Sequence, residues 1–308
     1  MKSPLFYAKI LLFGEYGIIK DSKGLAIPFN AFRGALKTSD NLEGFSKKSN
    51  NNLRRFYQHI ANLNSELVSF DLKTFEADLE SGMYFDSSIP QGYGVGSSGA
   101  LVASIYDKYA QDKITILENL TREKLLKLKE IFSTMESFFH GKSSGLDPLN
   151  SYLSLPILIN SKEHIEPAGI PSQKEGKGAV FLLDSEQIGE TEPMVNIFMN
   201  KMKNEGFRKM LSEEFALYTD ACIDDFLKGN VNSLFTNVKS LSKVVLKNFK
   251  PMIPDAFHKV WKKGIDTNDY FLKLCGSGGG GYILGFTEDY QKAQESLKDY
   301  KLELVYRL

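Results

Sequence analysis

The residues best suited to chemistry open at Pro90, after which Gly92, Gly94 and Gly96 alternate, Ser97 and Ser98 follow, and Gly99 leads into an apolar stripe of Leu101, Ile105 and Tyr109 at helical spacing. A glycine-rich loop that feeds a helix N-terminus leaves backbone N–H groups unpaired and carries partial positive charge, a combination suited to phosphate. The same residues would also make an ordinary cap and turn. The loop lacks the Gly-Lys-Ser/Thr of a Walker A motif. Gly94 to Gly99 has dinucleotide-type glycine spacing, but no strand is read leading into it.

Four other features carry chemical groups. A second glycine run, Gly276-Ser277-Gly278-Gly279-Gly280-Gly281, separates two apolar strands, which is more glycine than a hairpin needs and implies that something approaches that backbone closely. Lys9 interrupts the apolar run Leu5 to Phe13, where it requires a carboxylate or phosphate partner unless the strand is an edge and the ammonium reaches solvent. Glu136 and His140 are four residues apart and share a helix face, as a functional pair or a surface pair. Asp147, before Pro148, reads by itself as a turn or capping residue.

The elements that must position these groups are mixed. Strands are expected at 5–13, 24–29, 31–36, 67–72, 75–79, 151–159, 179–184, 270–275, 282–286 and 302–307. Helices are expected at 53–63, from the glycine loop to Tyr109, at 121–140, at 289–297, and over 192–204, 207–228, 231–247 and 254–265, with an exposed Lys/Ser/Asn-rich loop at 37–52. With 308 residues, two domains are expected by the guide of roughly 100 to 200 residues per domain. Lys+Arg and Asp+Glu are 38 each, so no overall field recruits nucleic acid or an anionic membrane. Cys222 and Cys275 suggest neither a disulfide framework nor a zinc site, and the interrupted N-terminal apolar run suits a strand better than a leader or span, so a cytoplasmic protein is expected.

Three separated motifs, Ala8-Lys9 through Gly14-Glu15, the Pro90 to Ala100 loop, and Lys273 to Gly281, together resemble the signatures of the GHMP kinases, the family of galactokinase, homoserine kinase, mevalonate kinase and phosphomevalonate kinase. The resemblance spans nearly the whole chain. It implies an α+β, two-domain GHMP kinase fold, with a ribosomal protein S5 domain 2-like N-terminal domain over 1–187 and a ferredoxin-like, helix-rich C-terminal domain over 188–308. It implies ATP and Mg²⁺ as cofactors and a small-molecule alcohol as substrate, with a homodimer as a possible assembly. By the same resemblance Gly92, Gly94, Gly96, Ser97, Ser98, Gly99, Gly278 and Gly279 would contact the nucleotide, Ser98 and Glu136 would hold the metal, and Asp147 with Lys9 would be catalytic. Glu15, His140, Ser144, Gly276 and Ser277 would face the substrate.

Within that family the run His140-Gly141-Lys142-Ser143-Ser144-Gly145-Leu146-Asp147 is similar to the mevalonate kinase pattern, with Ser143 replacing a proline. Tyr16 after Glu15, and Gly99 after Ser98, look more like phosphomevalonate kinase, which would need further basic residues such as Lys20, Arg33 or Lys142. The expected substrate is mevalonate. A silent nucleotide-binding relative is disfavoured, since Lys9, Ser98, Glu136 and Asp147 are all retained.

Overall fold

The protein, seen as a computed structural model, is described over residues 3–20, 22–115, 119–173 and 175–308, with only the backbone at 19, 20 and 140. It forms two compact units that alternate along the chain. Unit 1 takes the chain up to Lys9, then Pro28–Pro90 and Gly96–Leu155; unit 2 takes Ile10–Ile27, Gln91–Val95 and Pro156–Leu308. The boundary therefore cuts strands β1 (Phe6–Phe13) and β2 (Gly24–Thr38), which pass from one unit into the other.

In unit 1, the far end of β2 pairs antiparallel with β3 (Met83–Ser87), from Gly34 opposite Ser87 to Thr38 opposite Met83. Gly34 is needed there because a Cβ would lie 2.2 Å from the Phe85 ring. Helix α3 (Ser97–Tyr109) is central: Ala100, Val102, Ala103, Ile105, Tyr106 and Tyr109 are all buried. Around it pack α4 (Arg122–His140), which contributes Leu128, Phe132 and Met135, and α5 (Leu146–Leu153), which contributes Leu149. Leu125 of α4 is buried as well, while Phe139 is only half-buried.

Several expectations are corrected here. Of the stretch 37–52, expected as an exposed loop, residues 37 and 38 end β2 and only 39–43 are loop; α1 (Gly44–Ala61) then begins, capped by reciprocal Glu43 and Ser46 bonds. Asn50, which reads as loop by composition, is buried, and its amide donates to the carbonyls of Leu79 and Met83 at 3.1 and 2.6 Å. The strand expected at 75–79 is helix α2 (Leu72–Glu80), started by Asp71 accepting from Thr74 N. Phe75 and Leu79 fit both an alternating and a four-residue pattern, and the cap decides. Instead of a strand at 67–72 there is a single bridge between Phe70 and Ala110. The glycine loop does have a strand before it, β3. Residues 24–36, expected as two strands, form the one long β2, because Pro28 and Asn30 interrupt the apolar pattern without ending the extended backbone.

Unit 2 holds an antiparallel sheet of β7 (Phe271–Leu274), β8 (Tyr282–Thr287), β6 (Ala179–Asp184) and β9 (Leu302–Arg307), in that spatial order. Every residue of β7, and all of β6 but its last, is buried, as helix cover over a sheet requires. The near end of β2 pairs with β4 (Ile157–Ser161), which pairs with β5 (His164–Pro167). The strand expected over 151–159 is thus displaced, since α5 continues to Leu153. The helices fall where periodicity placed them: α6 (Thr191–Lys201), α7 (Glu205–Met210) running through a π-helical turn at Leu211–Phe215 into α8 (Ala216–Lys228), then α9 (Val231–Asn248), α10 (Phe257–Thr267) and α11 (Tyr290–Ser296). Among the described residues no helix is long and apolar enough to cross a membrane.

Candidate active site

Unit 1 brings together four of the residues singled out above. Lys9 lies on β1 with its side chain buried, and its Nζ is 2.9 Å from Asp147 Oδ1. This selects the paired reading of Lys9 over the edge-strand one. Asp147 is not in a free turn: it occupies the first turn of α5, behind Gly145 in the left-handed region. Its side chain remains 36% exposed, so the carboxylate is both anchored and open.

The start of α3 is built against that pair. Gly96, the N-cap, has φ +78°, and a Cβ there would come 2.9 Å from Lys9 Cγ and 3.7 Å from Asp147 Oδ2. No side chain caps the helix at this position, which leaves its first N–H groups pointing out of the turn. At Gly99 a Cβ would come 2.7 Å from the Asp147 carbonyl carbon and 2.8 Å from Pro148 N, so α3 and α5 touch backbone to backbone. That contact fixes the spacing between Ser98 and Asp147. Any side chain at 99 would wedge the two helices apart.

Glu136, on α4, is 97% buried, and two hydroxyls bond its carboxylate. Ser98 Oγ donates to its Oε1 at 2.9 Å, and Ser143 Oγ donates to its Oε2. Burial, and next the charge of Asp147, push Glu136 up to about 7, against the opposing pull of the Ser143 and Ser98 hydroxyls and of Lys9. Ser143 is a residue that sequence reading passed over except as a departure from a motif. Its Oγ also accepts from Gly145 N at 3.0 Å, which ties Glu136 to the turn that starts α5. The side chain of His140 lies outside the described residues, and Ser144 is exposed, its Oγ accepting from Leu146 N.

The donor set fits a magnesium ion. Ser98 and Glu136 offer hard oxygens, Asp147 is near enough to raise Glu136, and a cation would relieve the cost of an ionised carboxylate in so dry a place. Among the described residues no three His, Cys, Asp or Glu side chains gather as a self-sufficient metal cage. Magnesium commonly takes only one or two protein carboxylates and completes its shell with phosphate and water.

The remaining candidates lie in unit 2. Gly92 O accepts from Gly189 N at 2.9 Å, and a Cβ at Gly94 (φ +77°) would sit 2.5 Å from Cys275 O. The close approach implied by the second glycine run is largely the chain's own backbone: a Cβ at Gly281 would meet Tyr93 Cα at 2.5 Å, and one at Gly278 would meet Met252 O at 2.6 Å. Gly279 faces the Met194 side chain, and Gly276 faces Gly94 Cα at 3.2 Å. The 276–281 loop thus braces the 92–94 segment.

Glu15 is buried and ion-paired with Lys273, which also donates to Leu274 O at 3.0 Å. The Tyr16 hydroxyl donates to Ser277 O at 2.6 Å, while burial and the adjacent Glu15 push its phenol up. Lys273 was missed as a partner for Glu15, although a lysine inside the apolar run Phe271–Leu274 gives the same signal as Lys9.

No protein-family model and no curated protein sequence matches the chain. Solved structures do match over nearly its full length. L. major mevalonate kinase in complex with R-mevalonate has a TM-score of 0.64 at 16% identity, covering 97% of this chain and 90% of that one. Streptococcus pneumoniae phosphomevalonate kinase in complex with phosphomevalonate and AMPPNP gives 0.65 at 14%, covering 99% of each. Lactococcus lactis galactokinase complexed with galactose gives 0.64 at 12%, covering 98% and 92%. With antiparallel sheets and matches that cover 97% or more of its length, the chain has the fold of the GHMP kinases.

Proposed function

We propose that the protein is an ATP- and Mg²⁺-dependent kinase that phosphorylates the primary hydroxyl of mevalonate. The observation that carries this reading is the open carboxylate of Asp147, held by Lys9 beside the uncapped N-terminus of α3. Phosphoryl transfer needs positioning and charge stabilisation more than covalent help. The N–H groups around Gly96 to Gly99 would bind the transferring phosphate along the helix dipole. Ser98 and Glu136 would hold the magnesium ion, whose role when bound is to neutralise phosphate charge. Asp147 would orient the alcohol and accept its proton as the new O–P bond forms and the bond to the ADP oxygen breaks. Lys9 would keep that carboxylate in place.

The choice of mevalonate is supported by the His140 to Asp147 run, together with the likeness to a mevalonate kinase structure. Tyr16 and Gly99 support phosphomevalonate as a second reading, as does the likeness to a phosphomevalonate kinase. Arg33 and Lys142, which that substrate would need, are exposed. A coupled ADP-release assay against mevalonate, phosphomevalonate, homoserine and galactose tests both. The highest kcat/KM is expected with mevalonate; a clearly higher value with phosphomevalonate transfers the assignment, and turnover of none of them sinks the kinase reading.

A further inference from the structure

Ser143 stands where the mevalonate kinase pattern carries a proline, and its hydroxyl is bonded on both sides. It donates to Glu136 Oε2 and accepts from Gly145 N at 3.0 Å. A hydroxyl has one proton and two lone pairs, so an amide N–H set against the oxygen turns the proton away from Gly145 and toward the carboxylate. A proline has no group that could make this bond, which is therefore this chain's own addition to the site. We infer that Ser143 is a positioning residue for the metal site: it fixes the Glu136 carboxylate with Oε1 toward Ser98 Oγ, and it ties that orientation to the turn that carries Asp147. This role rests on the reading of Ser98 and Glu136 as magnesium ligands.

The turn is anchored firmly enough to act as a support. Ser143 O accepts from Ser133 Oγ at 2.6 Å. Ser133 and Glu136 are three residues apart on α4 and so share a face, from which they hold Ser143 by its carbonyl and by its hydroxyl. Gly145, at φ +71°, is pressed onto the same helix: a Cβ there would lie 2.1 Å from Lys129 O and 2.7 Å from Ser133 N. Asp147 follows two residues later, in the first turn of α5.

The last torsion of a glutamate is soft, with broad wells, so a carboxylate bonded at one oxygen can still turn about it. In Glu136 both oxygens are bonded, Oε1 by Ser98 at 2.9 Å and Oε2 by Ser143, and rotation would break both bonds. Groups that orient a metal ligand in this way typically account for roughly 10- to 100-fold in metal affinity or activity. A serine that only shaped the turn would need the Gly145 bond alone, and its loss would appear in stability without moving the response to metal.

Calorimetric titration of AMPPNP into the full-length protein over a Mg²⁺ series tests this role without turnover. Ser143→Ala should raise the Mg²⁺ concentration at which AMPPNP binding is half-maximal by about tenfold or more. Ser143→Thr, which keeps the hydroxyl, should return most of that loss. In steady-state assays on the best substrate the same shift should appear in the Mg²⁺ dependence, with a smaller fall in kcat at saturating Mg²⁺. Adding Ser143→Ala to Glu136→Gln should shift the Mg²⁺ dependence no further, since the serine acts through that carboxylate. A shift of less than about twofold in Ser143→Ala, or a Ser143→Thr variant that folds normally and is as impaired as Ser143→Ala, overturns the role. Glu136→Gln alone separates this role from the reading beneath it. An unshifted Mg²⁺ dependence in that variant, or AMPPNP binding that needs no Mg²⁺ in the wild type, removes the metal site itself. A shift in Glu136→Gln with none in Ser143→Ala removes only the positioning role.

Discussion

Two lysines lie in apolar strands and each finds a carboxylate, but the two pairs are sealed differently. In unit 2, Lys273 and Glu15 are both buried, with side chains 3% and 5% exposed. In unit 1, Lys9 is equally hidden while Asp147 keeps 36% of its side chain open. A sealed pair can only tie elements together, here the turn after β1 to strand β7. A pair with one open carboxylate presents a fixed anion to whatever enters. The difference separates structure from chemistry where residue types are the same, since a carboxylate that never meets solvent has no route to an incoming hydroxyl.

The sharpest way to break this comparison is Asp147→Asn. The substitution keeps shape and removes the anion, so kcat on the best substrate should fall by roughly 10² to 10⁴, about 3 to 5 kcal/mol of transition-state stabilisation. ATP affinity and the thermal midpoint should stay near wild type. A folded variant that keeps more than about a tenth of wild-type kcat would show that the open carboxylate does no chemistry.

In the sealed pair the same kind of change should act on folding. Lys273→Met takes the Lys273 ammonium away from the buried Glu15 and should cost about 3 to 5 kcal/mol of stability, measured by denaturant unfolding. Adding Glu15→Gln should recover part of that loss, because the buried charge is gone. If the single variant were as stable as wild type, the pair would not be holding the fold.

Glu136 is a third buried carboxylate, bonded by the Ser98 and Ser143 hydroxyls, and it should show itself through pH. Its pKa is raised from 4.5 to about 7, so between those values the folded protein holds a proton that the unfolded chain releases. The stabilisation is complete at the acid end and is lost as pH rises through the window, a change of order 3 kcal/mol at most. Thermal midpoints in metal-free buffer at pH 5 and pH 8 measure it, with Glu136→Gln as the reference that should remove this component. Identical pH dependence in the two proteins would mean that Glu136 is not the buried acid described.

Much of the fold was legible because its signals are local. The helices of 191–267 bury one face each, so their periodicity located them within a few residues, and the apolar strands β6 to β9 were equally plain. The failures cluster at 37–88. There a polar, Asn-rich helix buries Asn50 through bonds to distant carbonyls, and a short helix carries a pattern that also fits a strand. Neither the partners of Asn50 nor the choice between periods is written in the immediate neighbourhood of those residues.

The candidate site divides in the same way. By itself the sequence determined which groups are present: two glycine runs, a lysine where a lysine is costly, and Ser98, Glu136 and Asp147 at readable positions. It also determined that α3 begins at the glycines, because glycine and helical periodicity are properties of adjacent residues. Only the tertiary structure decided that Lys9 meets Asp147, that Glu15 is closed off by Lys273, that Ser143 bonds Glu136, and that Gly99 lets α3 touch α5. Burial and pairing depend on elements far apart in the chain, and they set the charge, exposure and reach of each group, which residue type and spacing leave open.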